Sequence, residues 1–125
     1  MIKILNLFIL IILALFINKD LYSEWLNNSS AEFNTLDKIT ARTKNIEINL
    51  NEDVTLGSLI INLRSCQNRP PDFLPESAAY VEIFDTLNQG LEEKNLVFSG
   101  WMFSSSPAIS ALEHPVYDIS LVSCK

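Results

Sequence analysis

The chain has 125 residues, 48% of them hydrophobic, with nine Lys/Arg against fifteen Asp/Glu and a net charge of −6. That length holds one domain with one modest core. The acidic balance, with its cations scattered singly, excludes general nucleic-acid binding, which needs Lys and Arg to neutralise phosphates.

The first segment reads as a targeting sequence. Residues 1–3 give a short positive start, and residues 7–17, LFILIILALFI, are an unbroken apolar run. A secretory apolar core is about 7–15 residues and a bilayer span about 20, so the run fits export. A cut after Ser23 leaves a mature chain with seven Lys/Arg and fourteen Asp/Glu, net −7. Leu21 fits poorly as the third residue before that cut, so the alternative is an uncleaved membrane anchor. Residues 1–23 are thus a signal peptide or anchor, 24–34 a polar linker, and 35–125 a single β-rich domain.

From Leu36 onward the pattern has period two. Ile46, Ile48 and Leu50 alternate with Glu47, Asn49 and Asn51, which predicts a half-buried strand closed by a turn at 51–53. A weaker strand is expected over 38–42. Leu59, Ile61 and Leu63 alternate with Ile60, Asn62 and Arg64 in a second clear strand, and 79–84 is a third. A polar loop runs from Asn88 to Lys94 before a strand at 96–103 that is apolar on both faces, so something must cover both sides. Ser106 as cap, Pro107 at the first helical position, and Ile109 with Leu112 on one face predict a short helix, stopped by Pro115. The last strand is 116–123, with Tyr117, Ile119 and Leu121 inward. The fold class is therefore mainly β: a small antiparallel barrel or sandwich of five to six strands with one short helix and one disulfide.

Two cysteines in an exported chain read as one bridge, Cys66 to Cys124, closing a loop of 58 positions. By strand phase both thiols fall on the faces away from the core. This is compatible with their strands being neighbours, stapled at one end, and a bulge in either strand would break the inference. One histidine and two cysteines are too few for a four-ligand zinc set without carboxylates. No metal or organic cofactor is expected.

Three constellations carry candidate chemistry. Ser104, Ser105, Ser106, His114 and Asp118 hold the residue types of a nucleophile–base–orienter set, with Ser105, His114 and Asp118 the weak catalytic candidates. No G-x-S-x-G elbow exposes a nucleophile, and Ser106 has a competing use as a cap. The loop QNRPPDFLPES is stiffened by Pro70, Pro71 and Pro75 and presents Arg69 and Phe73, so it either covers one end of the domain or offers a surface at low entropy cost. Arg69 is expected to pair with Glu113 or Asp118. Trp101 and Phe103 read as core packing, with ligand stacking as the alternative.

Residues 36–42 (LDKITAR), 56–83 (LGSLIINLRSCQNRPPDFLPESAAYVEI) and 98–124 (FSGWMFSSSPAISALEHPVYDISLVSC) resemble the bacterial family called domain of unknown function 2155, exported proteins of alphaproteobacteria. The family pattern of Cys followed by Arg-Pro-Pro is matched by Cys66, Arg69, Pro70 and Pro71. Its Gly-Trp-Met-Phe, Ser-Ser-Pro and Glu-His-Pro-Val-Tyr-Asp elements are matched at 100–103, 105–107 and 113–118. The resemblance implies export and a periplasmic setting and adds no activity.

The expected function is a periplasmic, non-catalytic binding or scaffold domain for an envelope protein or ligand. Its surface would be Arg69, Pro70, Pro71, Phe73, Trp101, Glu113 and His114, with the 66–77 loop and the 99–118 segment side by side. The alternatives are a small hydrolase using a serine of 104–106 with His114, and a membrane-tethered accessory subunit. Membrane contact is expected only through the N-terminal segment.

Overall fold

The computed structural model describes residues 1–16, 24–87, 95–107 and 111–125. An N-terminal helix, α1 (Ile2–Leu15), buries none of its side chains. No helix among the described residues is long and apolar enough to cross a membrane. Among the described residues nine strands follow: β1 (Leu26–Asn27), β2 (Ser30–Asp37), β3 (Arg42–Asn49), β4 (Asp53–Leu56), β5 (Leu59–Asn68), β6 (Ser77–Asp85), β7 (Asn95–Phe103), β8 (Leu112–Glu113) and β9 (Tyr117–Cys124).

They form two antiparallel sheets packed as a sandwich rather than a closed barrel. In the first, β5, β6 and β7 lie side by side, and β4 and β1 share the outer edge of β5, pairing with its first and last residues respectively. In the second the order is β3-β2-β9-β8. Leu59, Ile61, Leu63, Ala79, Val81, Ile83 and Met102 from one sheet meet Phe33, Ile48, Ile119 and Leu121 from the other in one buried core. Alternation in β2, β5, β6 and β9 supplies these inward faces, as a two-layer antiparallel fold requires.

Two stretches differ from the sequence reading. The expected linker 24–34 carries β1 and most of β2, with Ala31 and Phe33 fully buried. The polar residues around them, Ser29, Ser30, Glu32 and Asn34, hid two core positions. Of the weak strand expected at 38–42, residues 38–41 are instead the turn of the β2–β3 hairpin and only Arg42 belongs to a strand, as the first residue of β3. Asp37 Oδ1 accepts hydrogen bonds from the Ile39 and Thr40 N–H groups, and Ala41 adopts a positive φ of 57°, so the chain reverses there. The expected helix falls largely on 108–110, outside the described residues. Leu112, assigned to its face, is a buried β8 residue paired with Ile119.

The cysteines correct the phase argument. Cys66 and Cys124 are 2% and 6% exposed, inside the core, and their disulfide joins β5 of one sheet to β9 of the other across a Cα–Cα distance of 5.7 Å. Their strands are not neighbours. Each carries a bulge just before its cysteine: the β5–β6 register skips Arg64, and the β2–β9 register skips Val122. One extra residue turns every later side chain to the opposite face. Leu63 and Cys66, three apart, therefore both point inward, as do Leu121 and Cys124.

Candidate functional site

The disulfide end of the sandwich is held by a polar network. The Asn68 side-chain amide donates to the Cys124 carbonyl at 3.0 Å, and the Ser77 hydroxyl donates to Asn68 Oδ1 at 2.6 Å. The Cys124 N–H donates to Ser77 Oγ at 3.2 Å. These bonds tie the end of β5, the start of β6 and the end of β9 together, and they satisfy polar groups that burial would otherwise leave unpaired.

The proline loop grows from this end. The Arg69 N–H donates to the Glu76 carbonyl at 3.0 Å and closes the loop, while the Phe73 N–H donates to the Pro70 carbonyl at 3.1 Å within it. Pro70, Pro71 and Pro75 restrict the rest. The tip projects Phe73 and Leu74 outward, Leu74 being 84% exposed. Arg69 does not reach Glu113 or Asp118. Its guanidinium carbon lies 5.2 Å from the centroid of the Trp25 ring, a cation–π arrangement, while Asp118 pairs with Lys38 Nζ at 2.7 Å.

Glu76 fastens the 104–105 turn to the loop. Its Oε1 accepts from the Ser77 N–H at 3.2 Å, the Ser104 hydroxyl at 3.0 Å and the Ser105 N–H at 3.0 Å, and its Oε2 accepts from the Ser105 hydroxyl. Burial pushes the Glu76 carboxyl up. The hydrogen bonds from Ser105, Ser104 and Ser77 together outweigh it and hold the group below the usual carboxylate range. Ser104 and Ser105 are thus occupied as donors to a structural carboxylate.

Beside the loop, the outward face of β7 stays open. Trp101 and Phe103 are 43% and 37% exposed, flanking the inward-facing and fully buried Met102. They point away from the core, which corrects the core-packing reading. Trp25, Gln67, Ala78, Trp101 and Phe103 line a cleft of about 220 Å³. Ala78 is small enough to leave its floor low between the rings. Tyr80 meets Trp101 edge-on, centroids 5.4 Å apart, and braces the indole. Gln67 donates to Asn27 Oδ1 at 2.8 Å and fixes the polar wall.

His114 lies elsewhere. Its Nε2 is 2.9 Å from Asp85 Oδ2, and its Nδ1 accepts the Val116 N–H at 3.1 Å. Asp85 ends β6 and Ser77, next to Glu76, begins it, so Ser105 and His114 sit at opposite ends of a nine-residue strand, about 26 Å apart at β spacing. No serine–histidine pair forms at that separation, and both imidazole nitrogens are already engaged. Of the expected surface, Arg69, Pro70, Pro71, Phe73 and Trp101 share the disulfide end. Glu113 and His114 belong to the other, so the 99–118 segment meets the loop only through its first residues.

Trp25, Leu74, Glu76, Gln67 and Ala78 were not singled out from the sequence. Trp25 carried the one readable signal: an aromatic ring in a stretch otherwise polar enough to pass for a linker.

The chain is similar to "Uncharacterized protein RP359" of Rickettsia prowazekii (strain Madrid E), at 31% identity over 106 residues that span 84% of this chain and 67% of that protein. No solved structure matches. A family model described as "Uncharacterized protein conserved in bacteria (DUF2155)" matches residues 31–124, from β2 through the second cysteine, and the chain belongs to that family.

Proposed function

We propose that this is an exported, non-catalytic binding domain of the bacterial envelope, and that its binding surface is the aromatic cleft with the proline loop beside it. One observation carries the reading. β7 is apolar on both faces, yet its Trp101–Phe103 side stays open to solvent, with Trp25 lining the same cleft. Clustered exposed aromatics beside an arginine are the composition of binding hot spots, and apolar surface of this kind marks interaction sites on soluble domains. A loop stiffened by three prolines loses little freedom when it is bound.

The export part rests on two features. The apolar α1 opens the chain, and the buried disulfide belongs to an oxidising compartment. A periplasmic setting accommodates both.

The test is retention of envelope components on the immobilised protein, compared with Trp101→Ala and His114→Ala. The reading requires a component that wild type and His114→Ala retain and Trp101→Ala loses. Equal retention by all three would overturn it.

A further inference from the structure

We infer that the disulfide end of the sandwich is a lipid-facing surface, seated with its tryptophans at headgroup level on the bilayer that holds α1. This rests on the reading of that end as the binding surface and names its ligand as a zwitterionic lipid surface.

The first support is the placement of exposed apolar side chains. Leu26, Phe73, Leu74, Trp101 and Phe103 lie exposed around one end, together with the half-buried Trp25. At the opposite end Ile39, Leu87 and Leu96 are the exposed apolar side chains, none of them aromatic, beside the Lys38–Asp118 ion pair and the His114–Asp85 bond. The two ends therefore differ in what they offer a membrane. Tryptophan favours the interface, where its ring meets acyl chains and its N–H meets headgroups. The proline-braced tip leaves Phe73 and Leu74 exposed, so they are available as an apolar wedge.

The second support is tether length. α1 is fourteen residues, about 21 Å long, short of the roughly 30 Å hydrocarbon core but apolar apart from Lys3 and Asn6. From its last residue, Leu15, to Trp25 is ten residues of chain, which whatever its conformation reaches at most about 35 Å. With α1 in the bilayer, the end that bears Trp25 is the tethered one. β1 enters the sandwich beside the cleft, so the tether and the apolar face share that end.

Charge selects the lipid. Glu24 and Asp72 lie in sequence close to Trp25 and Arg69, and the chain carries a net −6. An anionic surface would repel it. A zwitterionic headgroup offers a phosphate to Arg69 and no net repulsion, so the contact should survive high salt.

The chain has two tryptophans, Trp25 and Trp101, both in this cleft, and α1 has none. Their emission therefore reports on this face alone while α1 holds the full chain on vesicles. With phosphatidylcholine vesicles carrying brominated acyl chains, the expected result is a shift of emission to shorter wavelength and a loss of emission to bromine. Trp25→Phe and Trp101→Phe should each keep part of it. Phe73→Glu/Leu74→Glu, at an exposed tip where folding is not at stake, should abolish the quenching while the protein still sediments with vesicles, and Leu74→Glu alone should weaken it. Unchanged emission on vesicles that carry the protein would overturn the inference, as would full quenching in the double variant. If emission stays unchanged on vesicles but Trp101→Ala still loses an envelope protein, the surface binds a protein, and only the lipid assignment falls.

Discussion

His114 Nε2 donates to Asp85 Oδ2 at 2.9 Å, linking the last residue of β6 in one sheet to the turn that leads into β9 of the other. The Val116 N–H, donating to Nδ1, sets the proton on Nε2. Both side chains are nearly buried, at 11% and 10% exposure. The disulfide joins the sheets at one end of the sandwich, and this pair joins them at the other.

The Leu87 N–H, donating at 3.0 Å, holds the Asp85 carboxyl below its usual value near 3.8; burial works against it and His114 adds to it. A carboxyl lowered in the folded state stabilises the fold above its unfolded value, and that contribution is lost as pH falls through the lowered one. His114→Ala should cost about 1–3 kcal/mol at pH 7, the cost of removing a hydrogen-bond partner from a nearly buried charged group. Asp85→Asn should also flatten the fall in stability below about pH 4. Urea unfolding at pH 7 and pH 3 measures both.

Gly57 opens the two-residue turn between β4 and β5 at a φ of 56°, and a Cβ there would overlap the Tyr117 hydroxyl. Tyr117 in turn stacks on His114, centroids 6.1 Å apart. Gly57→Ala meets both a backbone penalty and a clash, and should cost about 1–3 kcal/mol. Shortening the ring in Gly57→Ala/Tyr117→Leu removes only the clash. The double variant should therefore lose less than the sum of the two single changes. Thermal unfolding of the four proteins reads the difference.

Strand identity was legible in β3, β5, β6 and β9 because period-two alternation comes from burial of one face, and in β7 from an apolar run without such alternation. What alternation does not carry is where it breaks. Arg64 and Val122 look like ordinary outward residues, yet each is the extra residue of a bulge, and both cysteines were read on the wrong face in consequence. Nothing local to either strand marks the break, because a bulge is a relation to the partner strand. Likewise Trp101 and Phe103 share an apolar pattern with Met102, and only the packing of the second sheet decides which side is core. The stiff loop and its arginine were legible from proline alone. Trp25, the partner of Arg69, was not, since that contact spans 44 positions.

Because the sulfurs cross between sheets, reduction should loosen the sandwich as a whole. Closing a loop of 58 positions restricts the unfolded chain enough to stabilise the fold by about 4 kcal/mol. That is a large share of the 5–15 kcal/mol typical of a domain. The urea midpoint should fall sharply with dithiothreitol. A Cys66→Ala/Cys124→Ala variant should match the reduced protein to within the cost of the cavity it creates. A midpoint indifferent to reductant would mean the bridge does not carry the end of the sandwich.

A further fastening at that end is Glu76, and it responds to pH. Burial pushes its carboxyl up, yet the donors from Ser105, Ser104 and Ser77 bring it below its usual value near 4.5. By the same linkage, the clasp on the 104–105 turn is present above that value and is lost as pH falls through the lowered one. Glu76→Ala leaves the Ser105 N–H without its acceptor, so hydrogen exchange at that amide should speed up by roughly 5–30-fold, the ratio that 1–2 kcal/mol commands. The Arg69 amide, bonded to the Glu76 backbone carbonyl, should change much less. Amide exchange followed by two-dimensional NMR separates the two. Equal acceleration at both sites would mean that the whole loop opens and that the serines do not hold it through the carboxylate.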